Sequence, residues 1–169
     1  TGSQDPYALR RQASGIVTIL LEKNYNLALE NIIDLALALV DEKGIAKRSL
    51  TEIKTDLVSF FMARIKHLLG EKEVRYDLID AVLVDTIGNV SSLVNRALVL
   101  EQKKNEASFK ETIEALSRVM NIAVKLTDAP SINEALFENE YEKALFAAYK
   151  QVEAQVDAAT DASEQFDLL

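Results

Sequence analysis

Apolar residues recur at helical spacing along almost the whole chain, and this pattern limits the fold more than any other feature. In the first segment Leu9, Ala13, Ile16, Val17 and Leu20 fall on one face of a helix. Six further stripes of the same kind run through residues 27–39, 50–68, 76–83, 93–98, 109–123 and 137–156. Strict alternation of apolar and polar residues, which would indicate strands, is nowhere sustained. The sequence therefore predicts an all-α bundle of about seven helices.

Several local signals place the ends of these helices. Asp5 followed by Pro6 is typical of a helix start, and Gly44 is typical of a helix end. Residues 49–52, Ser-Leu-Thr-Glu, have the form of a capping box that opens the longest helix. Residues 131–134, Ser-Ile-Asn-Glu, offer a second capping box before the last helix. The stretch after residue 154 loses its large apolar residues, so we expect residues 161–169 to form a frayed tail.

The composition excludes several kinds of site. The 169 residues include no cysteine and one histidine, which excludes disulfides, thiolate zinc sites, Cys nucleophiles and metal sites with two histidines. No apolar run reaches the roughly 18 residues of a membrane span, and no signal-peptide pattern opens the chain. We therefore expect no membrane association and a cytoplasmic location.

Acidic side chains and the single histidine offer little for catalysis. Asp77 and Asp80 stand three residues apart, with Asp85 further on, so they could share a cation. The simpler interpretation is a solvated face with acids favoured near a helix start. His67 lies at the edge of an apolar stripe without a second metal-binding partner, and no glycine-rich phosphate loop is present. We therefore predict no catalytic residue and no metal ligand in this chain.

Basic residues are more informative. At about 100° per residue, Arg64 falls inside the apolar stripe of the longest helix, where an unpaired charge is costly. Its guanidinium could pair internally with a carboxylate such as Asp80, or it could face a ligand. Lys66 points away from the stripe, and Arg75 follows the turn after this helix.

Two further groups of polar residues could contact a nucleic acid. Arg118, Asn121 and Lys125 share one polar arc of a later helix, where Arg and Asn could offer donors and acceptors to base edges. Such an arc is also ordinary surface decoration. On the first helix, Arg11 lies opposite the apolar face and Arg10 at its flank.

Three stretches of the chain, taken in order, match the motifs of a known protein family. The first is DPYALRRQASGIVTIL over residues 5–20. The second combines FFMARIK at 60–66 with YDLIDAVL at 76–83, and the third is RVMNI at 118–122. Together they resemble the beta subunit of bacterial glycyl-tRNA synthetases. The resemblance implies a fragment from the C-terminal part of a longer beta chain, with an all-α anticodon-binding region of the DALR type. In that family a separate alpha subunit holds the catalytic site.

The resemblance also implies an organisation, partners and cofactors. Residues 1–45 would be a helical pair leading into the domain, 46–160 the anticodon-binding bundle and 161–169 the tail. The partners would be glycine tRNA, the alpha subunit and the remainder of the beta chain. The fragment would be non-catalytic and hold no cofactor, with ATP and Mg²⁺ bound at the active site of the alpha subunit.

The leading hypothesis from the sequence is a module that helps a glycine–tRNA ligase recognise the anticodon arm of its tRNA. The motif positions Arg64, Arg118 and Asn121 are candidate tRNA contacts. Lys66 and Arg75 join them on proximity and charge, and Arg10 and Arg11 are candidates for phosphate or inter-domain contacts. The alternative is a non-catalytic helical module that docks against the rest of its chain or a partner subunit.

The distribution of charge qualifies the tRNA hypothesis. The net charge is −8, but residues 131–169 contribute −7 of it, with two lysines against nine acids. Residues 1–130, which contain every matched motif, are close to neutral at −1. Because nucleic-acid binders usually carry excess positive charge, we expect such a module to add selectivity while other parts of the enzyme supply most of the affinity.

Overall fold

The computed structural model of the chain describes residues 7–84, 86–124 and 132–168. These residues form eight α-helices: α1 (Leu9–Glu22), α2 (Leu29–Glu42), α3 (Leu50–Glu71), α4 (Tyr76–Val82), α5 (Val90–Lys103), α6 (Ala107–Ala123), α7 (Glu140–Ala158) and α8 (Ala162–Asp167). A 3₁₀ turn covers Glu134–Leu136, and the described residues include no strand beyond an isolated bridge between Ala28 and Asn89. The predicted all-α fold is confirmed.

The chain divides into two compact units, unit 1 (Thr1–Glu101) and unit 2 (Gln102–Leu169). In unit 1 both α1 and α2 pack on α3, and α3 also contacts α4. The contacts therefore group the first two helices with the third, whereas the sequence separated residues 1–45 from 46–160. The physical reason is that α3, the longest helix, offers buried residues to both neighbours.

The core lies in unit 1. Its buried side chains come from every helix of the unit and from the loops that join them: Ala13, Val17, Leu20, Leu29, Ile33, Leu37, Phe61, Ile65, Leu69, Val74, Leu78, Ile79, Ile87, Val90, Leu93, Val94 and Ala97. By contrast, no described residue of unit 2 is buried. The hydrophobic driving force that organises the fold is thus concentrated in the first hundred residues.

The buried face of α2 differs from the one that the sequence indicated. The sequence predicts a stripe through Leu27, Ile32, Leu35 and Leu39. In the structure Leu35 and Leu39 are mostly exposed, while the buried residues of α2 are Leu29, Ile33 and Leu37. Apolar residues surround almost the whole of this helix, so several stripes at spacings of three or four are available. Packing against α3 selects among them, and the sequence of α2 alone does not.

Two of the four predicted helix-end signals are confirmed. The Ser49 hydroxyl accepts from the backbone N–H of Glu52, and the Glu52 carboxylate accepts from the backbone N–H of Ser49, which is the predicted capping box. Gly44 takes a positive φ of 61° just after α2, a conformation that glycine adopts without strain. The sequence also indicates that α3 ends near Gly70, and the helix ends at Glu71. The left-handed residue that follows it is not this glycine but Glu73, with φ 62°. The expected helix start at Asp5-Pro6 lies outside the described residues.

The start of α7 differs from the sequence prediction. Ser131 of the expected second capping box lies outside the described residues, and the side chain of Asn133 accepts from Ala135 to cap the short 3₁₀ turn. The side chain of Asn139 caps α7 itself by accepting from the N–H of Glu142. Asn139, six residues after Asn133, therefore caps α7 in place of the predicted capping box at residues 131–134.

The expected frayed tail contains a helix. Asp161 caps α8 by accepting from the N–H groups of Ser163 and Glu164. The ring of Phe166 stacks on Phe109, with centroids 5.6 Å apart. Residues 162–167 of the expected tail are therefore helical, with a side-chain cap at one end and an aromatic contact to α6.

Candidate nucleic-acid interface

Arg64 lies on α3 and is held by an aromatic ring. Its Cζ atom is 4.5 Å from the centroid of Phe60, one turn earlier on the same helix. Its Nη1 atom is buried and has no hydrogen-bond partner among the described residues. The expected pair with Asp80 is not formed, because the guanidinium stacks on the ring while another cation takes that carboxylate.

That other cation is Lys66. Its Nζ atom lies 2.6 Å from Oδ1 of Asp80, so the ion pair connects α3 to α4. Both side chains are more than half exposed. An exposed pair of this kind contributes about 0–1 kcal/mol to stability, and its ammonium remains accessible to a competing anion.

Arg75 precedes α4 and is bound to the acid two residues later. Its Nε and Nη2 atoms donate to the two carboxylate oxygens of Asp77 at 2.6 and 2.7 Å, a bidentate arrangement. The backbone N–H of Arg75 donates to Glu101 of α5 at 2.9 Å. The hydrogen bond and charge of Arg75 lower the pKa of Asp77, and those of Asp77 raise the pKa of Arg75.

The two arginines of α1 are exposed. Arg10 interacts with another group of the chain, whereas Arg11 has no hydrogen bond or ion pair among the described residues. The next residue, Gln12, donates to the carbonyl oxygen of Tyr7. The predicted position of Arg11 opposite the packed face of α1 is confirmed.

In unit 2, Arg118 and Asn121 stand three residues apart on α6, and both are exposed. Neither side chain makes a hydrogen bond or ion pair with any described residue. Lys125, the third member of the expected arc, lies outside the described residues. The described part of the arc thus consists of one exposed guanidinium and one exposed amide.

The structure distributes the candidate residues over both units. Arg10, Arg11, Arg64, Lys66 and Arg75 belong to unit 1, and Arg118 and Asn121 belong to unit 2. Within unit 1 the packing of α1 on α3 places Ser14, Thr18, Arg64 and His67 around one small cavity of about 70 Å³. Of the seven candidate residues, Arg64 alone lines this cavity.

Two larger depressions flank α3. A mostly apolar groove of about 410 Å³ lies against α1, and the ion pair between Arg48 and Asp56 lies at its lining. A more polar groove of about 580 Å³ lies against α2 and contains the ion pair between Lys54 and Asp34. Neither groove holds a cluster of groups typical of a catalytic centre.

The acidic residues considered as metal ligands have other partners. Asp77 is bound to Arg75 and Asp80 to Lys66, while Asp85 lies outside the described residues. Across residues 7–84, 86–124 and 132–168, no three His, Cys, Asp or Glu side chains are grouped closely enough to hold a metal ion. His67 is exposed and lies 3.5 Å from Glu71, one turn further along α3.

The structure also shows residues that the sequence did not single out. The carboxylate of Glu30 accepts from the backbone N–H groups of Ile87 at 2.8 Å and Gly88 at 3.1 Å, which ties the start of α2 to the segment before α5. The buried hydroxyl of Ser91 donates to the carbonyl oxygen of Leu20. Both contacts join residues more than fifty positions apart, so no local pattern could have indicated them.

Comparison with known proteins places these residues in a family. The family model described as "Glycyl-tRNA synthetase beta subunit" matches residues 1–84. The chain is 44% identical to a protein of Shouchella clausii named "Glycine--tRNA ligase beta subunit" over 153 residues, which are 90% of this chain and 22% of the relative. Proteins of the same name from Bacillus subtilis and Clostridioides difficile are 43% and 36% identical over 89% and 93% of the chain, and 20% and 22% of their own lengths.

These matches cover most of the chain at substantial identity, and they agree with the three motif stretches. The chain belongs to the family of glycyl-tRNA synthetase beta subunits. It spans about a fifth of the length of the relatives that it matches. Among the described residues, no helix is both long enough and apolar enough to cross a membrane.

Proposed function

We propose that this chain is a tRNA-binding module of a glycine–tRNA ligase beta subunit, and that it recognises the anticodon arm of glycine tRNA. The module itself is non-catalytic. It supports ATP-dependent glycylation, which takes place in the alpha subunit with ATP and Mg²⁺. This enzyme works in the cytoplasm, where its partners are glycine tRNA, the alpha subunit and the remainder of the beta chain.

One observation carries the proposal. Arg118 and Asn121 are exposed on the same side of α6 and have no partner among the described residues. A guanidinium offers five donors and an amide offers both donors and an acceptor, a combination suited to the edges of unpaired bases. The other side of α6 is apolar, so these polar groups have no packing role in the described part of the chain.

The candidates of unit 1 differ in how available they are. Lys66 can exchange Asp80 for a phosphate, because its ion pair is exposed. Arg64 is pre-positioned by the ring of Phe60. Arg75 is the weakest candidate, since Asp77 already occupies the Nε–Nη2 edge of its guanidinium.

The net charge of unit 2 limits how much this unit can contribute to the affinity for tRNA. Unit 2 carries seven basic and thirteen acidic side chains, a net charge of −6. Such a unit attracts phosphate poorly, so Arg118 and Asn121 act on bases after the rest of the enzyme has bound the tRNA.

Binding of glycine tRNA to the complete two-chain enzyme tests the proposal. We expect Arg118→Ala to weaken binding by about 1–3 kcal/mol and to reduce the preference for the correct anticodon. Lys143→Ala on α7 is the matched control, because it also removes one exposed positive charge from unit 2. Unchanged affinity and anticodon preference in Arg118→Ala would remove this residue from the role.

A further inference from the structure

The apolar side of α6 is only partly covered by the described residues. Phe109, Ile113, Leu116 and Met120 share one side of the helix at spacings of three and four. The ring of Phe109 is covered by Phe166 of α8. Beyond it, Ile113 and Leu116 are each 39% exposed and Met120 is 63% exposed. The cover thus decreases along the stripe from Phe109 to Met120.

This exposure belongs to a unit whose described residues form no buried core. No described residue between positions 102 and 168 is buried, and large apolar residues of α7, such as Tyr141 and Leu145, are also exposed. A helical unit of this size needs an apolar interior to offset the conformational entropy that its folding costs. Unit 2 therefore requires further polypeptide or another ligand to cover its apolar surface.

Chemistry and length indicate which occupant to expect. The side chains are apolar at the spacing by which one helix packs against another, and none of them offers a hydrogen-bond donor to a phosphate or a base. In the relatives, about four fifths of the polypeptide lies outside the matched region. A segment of the same polypeptide has a high effective concentration at this surface. If unit 2 needs the docked segment in order to fold, that segment has to be present while the chain folds, which favours a segment of the same polypeptide.

We propose that the apolar side of α6, formed by Ile113, Leu116 and Met120, docks against a helical segment of the same full-length beta chain outside residues 1–169. The docked segment completes the core of unit 2. It also leaves Arg118 and Asn121, on the opposite side of α6, free to face solvent. This inference rests on family membership and on the exposure of α6, and it does not depend on tRNA recognition.

Cysteine labelling in the full-length beta chain tests this proposal. Residues 1–169 contain no cysteine, so Met120→Cys introduces a single thiol there, and Glu111→Cys places one on the exposed opposite side of the same helix. The maleimide labelling rate of each peptide is measured by mass spectrometry in the folded chain and in urea, without alpha subunit or tRNA. We expect folding to slow labelling of Met120→Cys about tenfold or more, with little effect on Glu111→Cys.

The other outcomes overturn the proposal. Equal labelling at both positions shows that the apolar side is free in the full-length chain. Protection that requires the alpha subunit assigns this surface to the subunit interface, and protection that requires glycine tRNA assigns it to RNA.

Peroxide oxidation of Met120 in the unsubstituted full-length chain gives the same information if the cysteine variant does not fold: slow oxidation supports the proposal, and oxidation as fast as in urea contradicts it.

Discussion

The guanidinium of Arg64 lies over the ring of Phe60, with its Cζ atom 4.5 Å from the ring centroid. The stacking orients the side chain, but it leaves the buried Nη1 atom without a hydrogen-bond acceptor among the described residues. A cation–π contact contributes about 0.5–1 kcal/mol, whereas a buried donor without a partner costs about 1–3 kcal/mol. The stability of unit 1 therefore does not explain why an arginine occupies position 64.

Replacing Arg64 by an apolar residue of similar length separates stability from function. We expect Arg64→Met to leave the thermal midpoint of the beta chain within about 2 °C of the wild type, because the lost stacking and the removed unpaired donor offset each other. Affinity of the complete enzyme for glycine tRNA should fall about tenfold. A stable variant with normal tRNA affinity would show that Arg64 makes no contact with the tRNA.

The ion pair between Lys66 and Asp80 restrains a candidate phosphate contact. In Asp80→Asn the ammonium of Lys66 loses its partner, so we expect tRNA affinity to rise about two- to threefold while stability changes by less than about 1 kcal/mol. Asp56→Asn is the control, since it removes a carboxylate from another exposed ion pair that involves α3. If both variants raise the affinity equally, the effect is one of total charge and Lys66 has no specific role.

The titration of Asp77 depends on Arg75. The guanidinium hydrogen bonds lower the pKa of Asp77 in the folded chain, so the pair stabilises the fold above the ordinary pKa of an aspartate. This stabilisation is lost as the pH falls through the lowered pKa. We expect Arg75→Ala to raise the pKa of Asp77 back toward its ordinary value, as followed by NMR of the side-chain carboxyl. Arg48→Ala, which affects a different pair, should leave the Asp77 titration unchanged.

Glu30 links the start of α2 to the segment before α5. Glu30→Ala leaves the N–H groups of Ile87 and Gly88 without their acceptor, so we expect the free energy of unfolding to fall by about 2 kcal/mol in urea denaturation. Glu42→Ala, at the exposed end of the same helix, should change it by less than about 0.5 kcal/mol. Equal losses in the two variants would contradict a structural role for the Glu30 contacts.

Much of the fold could be predicted from local sequence. The capping box at Ser49 and the stripe through Phe61 and Ile65 placed α3, because both signals act within one or two turns of helix. The seven expected helices are all present. The eighth, α8, was missed because its cap at Asp161 and its contact through Phe166 carry no periodic pattern.

The sequence could not predict the buried face of α2 or the ion-pair partners between α3 and α4, because both depend on which helices are in contact. The apolar surface of α2 allowed several buried faces, and only packing against α3 selects Leu29, Ile33 and Leu37. Helical geometry placed Arg64 within the apolar stripe of α3. The sequence did not show that Asp80 forms its ion pair with Lys66, because that pair depends on the position of α4 relative to α3. The exposure of Arg118 and Asn121 is confirmed, while their contact with tRNA stays a prediction.

Chemical footprinting of glycine tRNA on the complete two-chain enzyme tests the central proposal most directly. We predict that the wild-type enzyme protects the anticodon arm from hydroxyl radicals. Protection of the anticodon loop should weaken in Arg118→Ala and persist in Lys143→Ala. An anticodon arm that remains unprotected, or protection that Arg118→Ala leaves unchanged, would contradict the proposal that this chain recognises the anticodon.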